Sequence, residues 1–190
     1  MTRPELAAGE MRLRRLQTDE LTPAEIDAIL ALMAAAFGDD EDERFTEDDW
    51  QHAIGGTHFV LGVDGVIVTH ASVVEREIHV DGHVLRTGYV EAVATAPERE
   101  GTGFGSIVMT DATALIRDRF ELGMLGTGRH RFYERLGWVV WAGQAFVRAP
   151  DGLQRTPEDE GDLLVLRTPT TPDLDENAAI TCEWRPGDVW

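Results

Sequence analysis

The stretch "HVLRTGYVEAVATAPEREGTGFGSIVM", residues 83–109, constrains the fold more than any other part of the chain. A strand-like run ends at Pro97, and Gly101, Gly103 and Gly105 follow in quick succession. From Ser106 to Phe120 the pattern is helical, with Ile107, Ala114, Leu115 and Phe120 among the apolar positions. The first amides of a helix have no intrahelical partner, and the helix dipole favours negative charge there. Glycines let the backbone approach a ligand because they carry no Cβ. The segment therefore reads either as a tight strand–helix turn or as a cradle for a phosphate or pyrophosphate. It is not a dinucleotide-binding Gly-x-Gly-x-x-Gly, because Ser106 stands where the third glycine belongs. It is not a P-loop either, because that motif needs a lysine and the chain has none.

The rest of the chain supplies the layers. Met11 to Gln17 alternates as a first strand. Thr22 and Glu25 fit a capping box and Pro23 the first helical position, so Ile26, Ile29, Leu30, Met33 and Phe37 form one helical stripe that Gly38 stops. "DDEDER" reads as a solvated loop, followed by a shorter helix from Thr46 to Gly55-Gly56. Asp64-Gly65 and Asp81-Gly82 predict hairpin turns between β-branched runs. Further on, "LGMLGT" reads as a strand, "RHRFYERLG" as a short helix stopped by Gly137, and "WVVWAGQAFVR" as one strand. Residues 150–162 read as a loop, "DLLVLRT" as a strand, and a Pro-rich connection leads to "AAITCEW". The pattern is an α/β domain around a mixed sheet with an antiparallel half.

Composition narrows the partners. The formal net charge is −18, which disfavours nucleic acid, since phosphate contacts need clustered cations. An acidic surface keeps a protein soluble, and it also attracts a polycation. Cys182 is the single cysteine, so an intrachain disulfide and a cysteine-rich zinc site are both ruled out. No metal site is expected. The N-terminal residues lack the apolar core of a signal peptide, and the longest apolar run, Ile29 to Phe37, is too short for a bilayer. A soluble, cytoplasmic protein with no membrane partner is the expectation.

The segments "EGTGFG", residues 100–105, and "YERLGW", residues 133–138, together resemble the GCN5-related N-acetyltransferase superfamily. "FTEDDW", "GGTH", "LRTGYVEAVAT", "RTPEDEG" and the terminal "CEWRPGDVW" extend the resemblance, in order, to its aminoglycoside 2′-N-acetyltransferases. The likeness covers nearly the whole chain. It implies a single acetyltransferase domain over residues 1–190, with a mostly antiparallel central sheet flanked by helices. Acetyl-CoA is the implied cosubstrate, an aminoglycoside or similar polycation the implied acceptor, and a homodimer a possible assembly; the alternatives are a related acetyltransferase for another polyamine, peptide or cell-wall amine, and a non-catalytic aminoglycoside-binding protein.

The resemblance also assigns residues. Val93, Ala94 and Thr95 would hold acetyl-CoA through the main chain. Glu100, Gly101, Thr102, Gly103, Phe104, Gly105 and Ser106 would hold its pyrophosphate. Glu100 departs from the superfamily's Arg or Gln, with Arg99 next door as a source of charge. Glu91 would be the general base acting through water, the Val93 amide the oxyanion donor, and Tyr133 the general acid. Asp49, Glu91, Ala92, Gly126, Glu158, Asp159, Asp188 and Trp190, the last with its carboxylate, would face the polycation. Arg44 stands where the family has an acid, and Asp42 or Glu43 would substitute for it.

Overall fold

The computed structural model describes residues 10–38 and 44–190. Most of the "DDEDER" loop, with Asp42 and Glu43, lies outside the described residues, as does the start of the N-terminal segment.

Ten strands form one sheet among the described residues. β1 is Met11–Gln17, β2 Thr57–Val63, β3 Val66–Val80, β4 His83–Thr95, β5 Leu122–Gly126, β6 Val139–Val140, β7 Ala145–Ala149, β8 Gly152–Arg155, β9 Leu163–Arg167 and β10 Ile180–Glu183. The helices are α1, Pro23–Phe37; α2, Glu47–Ala53; α3, Phe104–Arg119; and α4, His130–Glu134. β3 is the hub. One of its edges pairs with β4 along most of its length, and the other is shared between β2 and β10. The sheet therefore forks. One branch runs β2–β1 and the other β10–β7–β8, while β4 leads on to β5, β9 and β6. Among the described strands, pairing is parallel only between β4 and β5 and between β10 and β7.

Local chemistry explains the elements. Asp64 and Gly65 both have positive φ, +51° and +80°, as do Asp81 and Gly82, at +51° and +78°. These are primed turns, whose twist matches that of the strands they join. Thr22 caps α1 in a reciprocal box with Glu25, and Thr46 caps α2 in the same way with Asp49. One core packs Val108, Met109, Ala112, Leu115 and Ile116 of α3 against the sheet. Another packs α1 and α2 against Val60, Ala94 and Ala96. Helices thus cover the sheet on both sides.

Three boundaries differ from the sequence reading. α3 begins at Phe104, two residues early, because Gly103 adopts φ +91° and turns the chain into the helix there. "WVVWAGQAFVR" is two strands, since β6 pairs with β9 and β7 with β8 and β10. The chain crosses between branches at Gly143, where the Ala178 carbonyl leaves no room for a Cβ. Residues 150–162 contain β8, which closes a hairpin on β7. No helix among the described residues is long and apolar enough to cross a membrane.

Candidate active site

β4 and β5 pair at Thr87–Leu122, Gly88–Gly123 and Tyr89–Met124, and then separate. Beyond that point β4 continues to Thr95 and β5 to Gly126 without a shared bond. A cavity of about 790 Å³ opens between them. Val90 to Thr95 form one wall, Leu125 to Arg129 with Tyr133 the other, and the glycine loop an end.

A β-bulge shapes the β4 wall. Ser72 pairs with Glu91 and His70 with Ala94, so Ala71 faces both Ala92 and Val93. Ala92 takes φ +49°, unusual for a residue with a side chain. His70 Nδ1 lies 2.7 Å from the Ala92 carbonyl and must donate to it. Burial pushes His58 down to about 4 and His70 down to about 3, so both rings are neutral. The directions then follow in sequence. His58 Nδ1 donates to His70 Nε2 at 2.9 Å, Thr18 Oγ1 donates to His58 Nε2 at 2.9 Å, and the Gly55 amide donates to Thr18 Oγ1 at 2.9 Å. A line of oriented hydrogen bonds, running from the surface at Gly55 through the buried His58–His70 pair, thus fixes the peptide between Glu91 and Val93.

Glu91 is largely enclosed in this wall, which pushes its carboxyl above the ordinary range, with the nearby Arg185 pulling the other way. Arg185 Nη1 donates to Glu91 Oε1 at 2.6 Å. Tyr133 also lines the cavity, its ring edge-on to Phe132 at 4.8 Å and to Trp138 at 6.3 Å. Burial raises its phenol well above the usual value, so it stays protonated. Trp138, from the same motif, is structural, since its Nε1 donates to Thr113 Oγ1 at 3.2 Å inside the core.

The glycine loop is shaped to receive an anion. Gly101 and Gly103 have φ of +73° and +91° with open space where a Cβ would point. Gly105 is close-packed, its Cβ position 3.2 Å from Thr95 Oγ1. No side chain caps α3, so its first amides have no side-chain partner, and Gly103 to Ser106 line the cavity. Arg99, Arg129 and Arg135 line the same cavity. These features fit a pyrophosphate. Glu100 is held by Arg129, 3.3 Å away. Thr102 is not among the residues that line the cavity, and its hydroxyl donates to the Arg99 carbonyl at 2.6 Å.

Of the acceptor-side residues, Asp49, Glu91, Ala92, Gly126, Asp188 and Trp190 meet at this cavity. Glu158 and Asp159 line a smaller adjoining recess of about 180 Å³ that shares Gly126, Asp188 and Trp190. Burial, then Glu158, Asp188 and Asp162, pushes the Asp159 carboxyl above its usual range, while Thr156 pulls the other way. Such crowded carboxylates suit a polycation. Trp190 is buried, its Nε1 donating to Thr156 Oγ1 at 2.9 Å. Arg44 also lines the cavity.

Arg185, Arg129 and Arg135 were missed by sequence reasoning. Arg185 lies within the quoted "CEWRPGDVW", and that is its only signal. His52 is also at the cavity, but its Nε2 donates to the Pro186 carbonyl at 2.7 Å and so clamps the tail. His130 pairs with Asp162 at 2.8 Å. No group of three or more potential metal ligands occurs among the described residues.

Known proteins bear on this arrangement. The acetyltransferase (GNAT) domain family model matches residues 17–141. The chain is 37% identical to an aminoglycoside 2′-N-acetyltransferase of Mycolicibacterium fortuitum, over 93% of this chain and 91% of that protein. The fold resembles the GNAT family N-acetyltransferase YhbS of Escherichia coli, solved in complex with CoA, with a TM-score of 0.65 at 16% identity, covering 96% of this chain and 93% of that one. A GCN5-related N-acetyltransferase from Kribbella flavida matches with a TM-score of 0.58 at 20% identity over 72% of this chain, which spans only 34% of that longer protein. A cavity at the divergence of β4 and β5, a glycine loop opening α3, and these matches lead to one assignment: the chain belongs to the GNAT acetyltransferases, in the family of the aminoglycoside 2′-N-acetyltransferases.

Proposed function

We propose that the chain, as one domain over residues 1–190, transfers the acetyl group of acetyl-CoA to the 2′-amine of an aminoglycoside. The observation that carries this reading is the placement of Glu91 and Tyr133 in one cavity, on the two walls formed where β4 and β5 part. The free backbone of Val93, Ala94 and Thr95 would pair with the amides of the pantetheine arm. The amides opening α3 would take the pyrophosphate.

An ammonium has no lone pair, so Glu91 takes one proton from the acceptor, through water. The freed amine attacks the thioester carbon and forms the C–N bond. On this reading the Val93 amide, next to the bulge, donates to the oxygen that gains charge. As the C–S bond breaks, Tyr133 gives its proton to the sulfur, and the second proton of the attacking nitrogen leaves through water as the amide forms, restoring the Tyr133 phenol. Asp49, Glu158, Asp159 and Asp188 hold the remaining ammonium groups and so select a polycation. Cytoplasmic residence and a homodimer belong to the same proposal, with cell fractionation and light scattering as their checks.

The test is turnover with acetyl-CoA and a panel of amines. Gentamicin and tobramycin, with a free 2′-amine, gain one acetyl group there by NMR and mass spectrometry. Kanamycin A, with a 2′-hydroxyl, gains no 2′-amide. Acetylation mainly at another ring position overturns the regiochemistry, and turnover of only unrelated amines overturns the substrate class.

A further inference from the structure

Arg185 is gripped from two sides. Its Nη1 meets Glu91 Oε1 at 2.6 Å, while Nε donates to the Asp188 carbonyl at 2.7 Å and Nη2 to the Trp190 main-chain oxygen at 3.1 Å. The Glu91 and Arg185 side chains are only 13% and 14% exposed. The guanidinium also lies 5.5 Å from the centre of the buried Tyr89 ring. A planar fork held at three nitrogens has no freedom to swing, and an arginine stays charged at any working pH.

We propose that Arg185 is a positioning residue for the acetyl transfer, clamping Glu91 in its charged, proton-accepting form and turning its second oxygen toward the acceptor amine. The proposal rests on the reading of Glu91 as general base. A carboxylate shut in a protein wall prefers to be neutral, and a neutral Glu91 accepts no proton. The ion pair uses Oε1 and leaves Oε2 for the proton lost by the ammonium. A lysine in the same place would supply charge without the fixed fork, and a histidine would titrate within the working range.

Other groups also face Glu91. Arg76, from β3, supports the charged form, and Asp49, from α2, opposes it. His52, from α2, feels Arg185, Arg76 and Asp49, and Asp188 stands beside the clamp on the tail. Removing Arg185 therefore changes the field on His52 as well, and the experiment must separate the two.

The measurement is kcat/KM against pH with acetyl-CoA and tobramycin. In Arg185→Gln the acid limb moves up by about one pH unit or more, since an adjacent opposite charge lowers a carboxyl by ~1–3 units. The same displacement persists in a His52→Gln background. Arg185→Lys keeps the limb within about half a unit of wild type. A limb that stays in place in Arg185→Gln, with activity lowered evenly at all pH, overturns the proposal, as does a displacement that vanishes with His52→Gln. Should Arg185→Gln not fold, Arg185→Lys carries the test: kcat falls at least ~5-fold for lost alignment, and wild-type kcat overturns the clamp. Glu91→Gln tests the underlying reading apart from Arg185. Wild-type turnover with the acid limb intact in that variant removes Glu91 as base, whatever Arg185 does.

Discussion

The Glu100 carboxylate lies 3.3 Å from the Arg129 guanidinium at the end of the cavity formed by the glycine loop. Both side chains are largely exposed, so the pair contributes little to stability. Its effect falls on the anion that approaches the loop. Glu100 repels it and occupies a cation that would otherwise be free. Glu100→Gln should lower KM for acetyl-CoA by about two- to fivefold, an exposed pair being worth up to ~1 kcal/mol. The kcat should not change, and the gain should shrink at high salt. Steady-state kinetics at two ionic strengths check this, and an unchanged or higher KM would contradict it.

Tyr133→Phe should lower kcat by ~10²-fold or more, in the range that general acid catalysis supplies. Acetyl-CoA binding by calorimetry should be nearly unchanged, because one hydroxyl leaves the packing on Phe132 and Trp138 in place. Burial holds the phenol protonated above its ordinary range, so wild-type kcat should show no basic limb from this group below about pH 10. Wild-type turnover in the variant would reduce Tyr133 to packing.

His58 and His70 give the fold a specific acid sensitivity. Their values in the folded state, about 4 and about 3, lie below the ordinary 6.5. The unfolded chain thus binds more protons between those limits. Stability is full above about pH 6.5 and falls as the pH drops toward 4, by up to ~1.4 kcal/mol per pH unit for each ring. Urea unfolding at pH 7, 6 and 5 should show this slope, and the His58→Gln/His70→Gln double variant should flatten it. An equal slope in both proteins would assign the acid sensitivity to other groups.

Glycine variants should separate fold from ligand. Gly123→Ala puts a methyl 2.9 Å from both Ile116 Cγ2 and Leu166 Cβ, which should cost ~1–3 kcal/mol of stability as overpacking. Gly103→Ala meets no neighbour but keeps a left-handed φ, a strain of ~1–2 kcal/mol. It should weaken acetyl-CoA binding as well, since its methyl points into the space left for the anion. Thermal melts with and without acetyl-CoA distinguish the two. Equal ligand-induced shifts in both variants would show that the loop conformation does not matter for binding.

Much of this arrangement is written locally. The two Asp-Gly turns, the Thr22 cap and the glycine loop each depend on a few adjacent residues and were legible in the sequence, while Tyr133, which lines the cavity, was marked only by the family resemblance. The bulge at Ala92 was not, because its backbone is held by His70 on another strand, which is itself held by His58 and Thr18. No local composition marks such a site. The break between β6 and β7 was hidden for a related reason: "VVWAGQAFV" is apolar enough for a continuous strand, and only the passage of Ala178 beside Gly143 divides it. Arg185 reads in sequence as one more charge in an acidic tail. Its pairing with Glu91, 94 residues away, exists only once β10 has joined β3.

The parting of β4 and β5 after Tyr89 leaves a seam in the sheet that the chain itself does not close. On the proposed reading, the acyl donor's own amides enter that seam, so the cosubstrate completes a secondary structure as well as supplying a reactant. A ligand that binds only the folded chain adds RT ln(1 + [L]/Kd) to its stability, ~2.7 kcal/mol at a hundredfold excess over Kd. The lifetime of this protein in a cell would then follow the acetyl-CoA supply. A starved cell would hold a looser, more protease-sensitive enzyme, and a well-fed one an enzyme whose central sheet is knitted shut.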